Sequence, residues 1–251
     1  FFQKEDIRLP LQTNPHRKLF GIDFVGFNLE TPIVQDDKNC IISHKEVQFC
    51  SDAAILPYLS QLGFNIANVA NNHSFDGGTQ AHEETIQLLK ENNIHPIGYE
   101  RNSTYFEKNY EWKTTIRGIP IAREGFDLTI TPRRLFSGYC ELLKKNKAEG
   151  RISLVSVHRG TEYQTTHDTS QESIAKQLIQ CGADIIIGHH PHVIQDIGRY
   201  QGKPIIYSLG NFLFDMKDPP ATKIGGYVLI DYRIDGEITL LTGTINASIY
   251  K

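Results

Sequence analysis

The run Gly182-Ala183-Asp184-Ile185-Ile186-Ile187-Gly188 stops on His189-His190-Pro191-His192. Three successive isoleucines bounded by glycines read as a strand buried on both faces, which requires neighbouring strands on its edges and helices over it. Elsewhere short apolar runs alternate with amphipathic segments, the pattern of a parallel or mixed sheet covered by helices. Three imidazoles within four positions, held on a loop by glycine and proline, are a poor choice for packing. They point to metal or phosphate binding.

The other runs fit the same scheme. Ile22 to Leu29 reads as a strand, and Ser51 as the cap of a helix carrying Ile55, Leu56, Leu59 and Leu62 that Gly63 ends. Asn65 to Ala70 is a strand, Thr79 to Glu91 a helix and Ile94 to Ile97 a short strand. Tyr110 to Ile116 and Ile119 to Ala122 read as strands, and Thr131-Pro132 opens a helix that runs to about Lys147. Arg151 to Val157 is a strand. Thr169-Ser170-Gln171-Glu172 reads as a capping box opening a helix to Cys181. Val193 to Ile197 and Pro204 to Tyr207 are expected strands, and the tail alternates around the hairpin turn Asp235-Gly236.

With 251 residues, 39 % of them hydrophobic, the chain can bury a core without disulfide staples and reads as one domain, residues 1–251. A net charge of -3 argues against a nucleic-acid partner, which needs a basic face. Cys40, Cys50, Cys140 and Cys181 form no CxxC pair and read as buried or half-buried free thiols, with a Cys40–Cys50 bridge open. No apolar stretch approaches the length that spans a bilayer.

Residues able to bind a metal collect just after the apolar runs. Glu30 follows the first, Asn71, Asn72 and His73 the second, His158 the run ending at Val157, and Asn211 follows Tyr207 to Gly210. Open α/β sheets build their sites outside the carboxyl ends of strands. Singly, each has a blander reading: His158 as a hydrogen-bonded structural residue, Asn72 as a turn residue, Glu30 as the partner of a cation. His16, His44, His82, His95 and His167 are assigned to solvent or ordinary hydrogen bonding. Imidazole, carboxylate and amide oxygen suit manganese, iron or zinc. Two such ions about 3.5–4 Å apart can clamp a phosphoryl group. His73 with Asp76 offers an oriented imidazole to protonate a leaving oxygen, or else Asp76 merely caps the turn before Gly77-Gly78.

NLETP (Asn28 to Pro32), NNHSFDGG (Asn71 to Gly78), His158-x-Gly160-x-Glu162-Tyr163, GADIIIGHHPHV (Gly182 to Val193) and YSLGNFLFD (Tyr207 to Asp215) occur in this order. Together they closely resemble the poly-γ-glutamate capsule synthesis (CapA-type) family, a branch of the calcineurin-like metallophosphoesterases. The resemblance implies a four-layer α/β/β/α sandwich of two mixed β-sheets flanked by helices. It implies two divalent transition-metal ions held by Glu30, Asn72, His158, His190 and His192, with His73 as the acid. Arg159, His189 and Asn211 are expected at the substrate; Arg159 replaces the Trp usual in the family's HWG motif, and His189 holds a variable position. Family members also open with a strand ending in Gly-Asp, whose Asp is a ligand. Residues 1 to 20 supply no counterpart, since Asp6 lacks a preceding buried strand, so the chain is expected to lack that first strand.

The implied activity is a metal-dependent phosphoesterase-like hydrolase acting on an anionic small molecule or polymer. Two alternatives stand beside it: a metal-dependent amide hydrolase or transferase on polyglutamate, and a non-catalytic capsule-assembly component with a degraded site. The resemblance also implies a membrane-associated capsule synthesis complex at the bacterial cell envelope or its outer face.

Overall fold

A computed structural model describes residues 22–36, 48–99, 109–129, 133–214 and 219–247. Asp6, His16, Cys40, His44, Thr131, Pro132 and Asp215 lie outside them. The chain divides into two compact units, residues 1–112 and 113–251.

In the first unit, β1 (Val25–Asn28), β2 (Ile33–Val34) and β3 (Ser51–Asp52) precede α1 (Ile55–Gln61), β4 (Phe64–Asn68), α2 (Gly78–Glu91), β5 (His95–Tyr99) and β6 (Asn109–Tyr110). The sheet runs β1-β4-β5-β6, with β1, β4 and β5 parallel and β6 antiparallel. The helix α2 buries Ala81, Thr85, Ile86, Leu88 and Leu89 along one stripe. Each buried Leu or Ile there contributes about 1.5–3 kcal/mol relative to exposure. Ser51 does not cap α1. Ser51 lies in β3 instead, its backbone N–H donating to the Pro32 carbonyl as β3 pairs with β2, and α1 begins three residues after β3, at Ile55.

The second unit contains β7 (Trp112–Ile116, which begins at the boundary), β8 (Ile119–Asp127), α3 (Arg133–Ala148), β9 (Ile152–His158), α4 (Thr169–Cys181), β10 (Ile185–His189), β11 (Ile197–Tyr200), β12 (Lys203–Ile206), β13 (Ile224–Tyr232) and β14 (Ile238–Asn246). Its main sheet runs β11-β12-β10-β9-β8-β7, and β8, β9, β10 and β12 are parallel. The mixed α/β class expected from the sequence is therefore the class observed, with one mixed sheet in each unit.

Three local expectations are corrected. The strand expected over Val193 to Ile197 is observed only at its last residue, where β11 begins; Ile194 makes a single bridge to Leu209, while β11 and β12 close through Gln201-Gly202, both at positive φ. That dipeptide is the left-handed turn a two-residue hairpin needs. The capping box lies one residue earlier than read. Asp168 accepts the Gln171 N–H, and the Gln171 side chain returns to the Asp168 N–H. Finally, Cys140 and Cys181 are not free thiols: they form a disulfide across α3 and α4, their Cα atoms 5.0 Å apart. Cys50 is also disulfide-bonded. Helical periodicity put Cys140 and Cys181 on helices, but pairing depends on how those helices cross.

The Cys140–Cys181 bridge closes a separation of 41 residues. Loop-closure entropy assigns such a crosslink about 4 kcal/mol. The Cys140→Ser/Cys181→Ser protein is therefore expected to unfold at lower urea concentration. An unaltered midpoint would show that the bridge does not constrain the unfolded chain.

Candidate metal centre

In the second unit the parallel register brings Asp127, His158 and His189 level at the carboxyl ends of β8, β9 and β10. His158 is 0 % exposed, and its Nε2 lies 3.2 Å from Nδ1 of His190. A contact between two imidazole nitrogens, that of His158 buried and that of His190 half-buried, suits a shared cation or a single shared proton. His192 is 5 % exposed, and its Nδ1 sits 2.9 Å from the Asn211 amide oxygen. Because an amide oxygen only accepts, Nδ1 carries the proton and Nε2 keeps its lone pair for a cation.

The backbone of this loop is strained. His190 has φ 100° and His192 φ 60°, both in the region L-residues avoid. Such strain persists where the surroundings over-determine the conformation, and it concentrates at functional sites. Gly188 is required for a different reason. A Cβ there would meet the Tyr207 carbonyl oxygen at 1.9 Å, because β12 passes directly alongside β10.

Several sequence-predicted residues take places the sequence could not specify. Asn211 is buried behind His192, its oxygen on the imidazole and its amide donating to the Thr222 carbonyl at 3.0 Å. Both ends are engaged, so it orients His192 instead of facing a substrate. The Arg159 guanidinium donates to the Leu128 carbonyl and, through Nε at 3.2 Å and again through Nη2, to the Ser170 hydroxyl. These bonds hold the loop after β9 against α4 and leave the planar fork pointed at protein acceptors, not arranged for bidentate grip on an anion. His189 is half-buried at the end of β10, where its carbonyl accepts the Arg159 N–H.

In the first unit, the loops after β1 and β4 carry the remaining candidates. Asn68 donates to Asn28 Oδ1 at 2.8 Å, and Asn28 donates to Glu30 Oε2 at 3.1 Å, a relay that orients the carboxylate. Asn71 ties the two loops, donating to the Leu29 carbonyl and accepting the His73 N–H. The Oδ1 atom of Asn72 is buried with no hydrogen-bond partner. A buried orphan acceptor is costly unless a cation or water completes it, so this atom fits a ligand role. His73 Nδ1 lies 2.6 Å from Asp76 Oδ2, and Asp76 is buried and also accepts the Phe49 N–H at 3.0 Å. The pairing read at three-residue spacing is thus present.

The strand end at Asp127 is not legible in the sequence. Asp127 ends a strand read as stopping at Ala122, because Arg123 and Glu124 break the apolar pattern although both are buried. His82 makes an ordinary hydrogen bond, as expected of it. It is buried, stacks on Phe75 with centroids 4.2 Å apart and reaches the Ser74 carbonyl, thereby bracing the loop that carries His73.

The model of the family described as bacterial capsule synthesis protein PGA_cap matches residues 15–216. The capsule biosynthesis protein CapA of Bacillus anthracis is 31 % identical over 246 residues, covering 91 % of this chain and 59 % of that protein. The PGA biosynthesis protein CapA of Bacillus subtilis (strain 168) is 31 % identical over 205 residues, covering 77 % of this chain and 53 % of that protein. The chain thus spans between half and two thirds of the length of these relatives. Among solved structures, a hypothetical protein from Thermus thermophilus is similar with a TM-score of 0.48 and 15 % identity, covering 77 % of this chain and 92 % of that one.

Proposed function

Starting from the fact that this chain belongs to the bacterial capsule synthesis protein PGA_cap family, we propose that it is a metal-dependent hydrolase of the phosphoesterase type serving poly-γ-glutamate capsule synthesis. The observation that carries the reading is the imidazole cluster: His158 and His190 in nitrogen-to-nitrogen contact, with His192 fixed as a lone-pair donor by Asn211. The proposed ligand set is Glu30, Asn72, His158, His190 and His192, holding two divalent ions of manganese, iron or zinc. Support from the first unit is the orphan Asn72 oxygen and the relay onto Glu30.

When bound, the ions would supply Lewis-acid stabilisation to the phosphoryl oxygens. The protein's own groups do the rest. His73, held at Nδ1 by Asp76, presents Nε2 for donating a proton to the leaving oxygen. His189 lies at the strand end beside the cluster and is proposed to face the substrate. An anionic substrate, small molecule or polymer, and a membrane-associated synthesis complex are part of the proposal, and the capsule setting is supported by the relatives named for capsule and PGA biosynthesis. An envelope location agrees with the Cys140–Cys181 disulfide, which persists in oxidising compartments. Among the described residues, no helix is long and apolar enough to cross a membrane.

The test is hydrolysis of bis(p-nitrophenyl) phosphate by the manganese-loaded chain beside cleavage of poly-γ-glutamate. Release of nitrophenol that a chelator abolishes supports the proposal. Polymer cleavage without nitrophenol release would replace it with the amide-hydrolase reading, and metal binding without either activity with the assembly reading.

Asn211→Ala is expected to weaken metal binding about 10–100-fold, the usual effect of losing a hydrogen bond behind a histidine ligand. Asn211→Asp, which keeps the acceptor, should retain most of the affinity. Titration with Zn²⁺ against a competing chelator reads both. Equal affinity in all three proteins would mean that His192 is not oriented by Asn211 for metal.

A further inference from the structure

We propose that Tyr163 is a substrate-contacting residue of this site, its phenol hydroxyl donating a hydrogen bond to an oxyanion of the bound phosphoryl group. The proposal rests on the metal-site reading above and adds a residue and a recognition chemistry to it.

Tyr163 sits in the loop between β9 and α4, with its ring stacked near His192 at a centroid distance of 6.2 Å and an interplanar angle of 27°. Phe214 flanks the same imidazole at 5.3 Å. The Tyr163 N–H donates to the carbonyl of Pro191, between the two ligand histidines, at 2.9 Å. The backbone of Tyr163 is therefore tied to the same segment that carries the proposed ligands, and its ring lies beside one of them.

Two features of Tyr163 work against folding. Its φ is 64°, a left-handed conformation in which a bulky aromatic side chain is an outlier, and the residue is 41 % exposed. Glycine would meet the backbone requirement without strain. The ring is thus not what the turn needs.

The rest of the loop is pinned on several sides. Gln195 donates to the Gln164 and Thr166 carbonyls at 2.9 and 3.1 Å, and Thr161 donates to Asp168 at 3.0 Å. His167 lies 2.8 Å from Asp196 and stacks on Tyr207. A rigid loop that displays a strained aromatic beside a ligand histidine presents a preorganised contact, which lowers the ordering cost of binding. A phenol O–H is a donor suited to a phosphate oxygen, and hydrogen bonds to charged groups are the stronger kind.

The experiment is calorimetric titration of inorganic phosphate into the manganese-loaded chain, with manganese content and melting temperature measured on each variant. Tyr163→Phe is expected to keep its manganese and melting temperature while phosphate affinity falls roughly tenfold or more. Tyr163→Gly should lose at least as much affinity yet melt no lower than the parent, because it relieves the positive φ. Phosphate affinity unchanged in Tyr163→Phe would overturn the proposal and leave the metal site standing. So would a Tyr163→Gly protein that melts several degrees lower, which would make the ring structural. A parent chain that takes up manganese but no phosphate, or no manganese at all, overturns both this assignment and the phosphoesterase reading.

Discussion

His190→Ala is expected to abolish tight binding of divalent metal, read as ions per chain after dialysis, while the metal-free protein keeps its fold. The residue is half-buried on a loop and meets the imidazole of His158, so alanine there leaves no cavity inside the core. Removing it leaves His158 with one fewer neighbour at a cation and takes a nitrogen ligand from the set. His190→Gly sharpens the test. At φ 100° a histidine carries backbone strain of about 1–3 kcal/mol that glycine relieves. The glycine variant is therefore expected to melt at or above the temperature of the metal-free parent while binding no metal. Because metal stabilises the folded form by mass action, melting must be compared without metal. His95→Ala, on β5, should retain full metal content. Parent-like metal content in His190→Ala would remove His190 from the ligand set and with it the chief support for a hydrolase.

The largest loss of stability is expected from Gly188→Ala. The added methyl would stand 1.9 Å from the Tyr207 oxygen and 2.6 Å from its carbonyl carbon, both backbone atoms of the chain leaving β12. The pairing of Ile186 with Ile205 and of Ile187 with Ile206 fixes the two strands alongside each other, so no rotamer change relieves the overlap. Forcing them apart is expected to cost about 3 kcal/mol, the upper end of the usual cost of overpacking. For a chain of this size that lowers the melting temperature by roughly 6–12 °C. Metal binding should fall as well, since the same segment leads into His190 and His192. Gly138→Ala is the matched control. It lies within α3 with open space where the methyl would go, and alanine should stabilise the helix by about 0.5–1 kcal/mol. If the two alanines shift stability equally, close strand approach is not the reason for Gly188.

Much of the fold could be read from local pattern. Ile185 to Ile187 announce a buried parallel strand, and the alternation around Asp235-Gly236 announces the hairpin of β13 and β14. Where reading failed, a tertiary partner had overridden the local signal. Arg123 and Glu124 look like the end of a strand, yet β8 continues through them; Glu124 accepts a hydrogen bond from Asn146 of α3 inside the unit. Ser51 looks like a cap and instead pairs with β2.

The site divides in the same way. Sequence alone determined that His158 and His189 stand at strand ends, because uninterrupted apolar runs of strand length place the following side chains there whatever the strand order. It also made the GHHPH loop recognisable, since glycine and proline punctuation is a local property. Only the tertiary structure decided what each of these residues does. Asn211 faces His192, Arg159 turns to Ser170 and Leu128, and Cys140 meets Cys181 across a separation of 41 residues. Those roles depend on strand register and helix crossing, which arise from the burial of the whole core and leave no mark at the positions themselves.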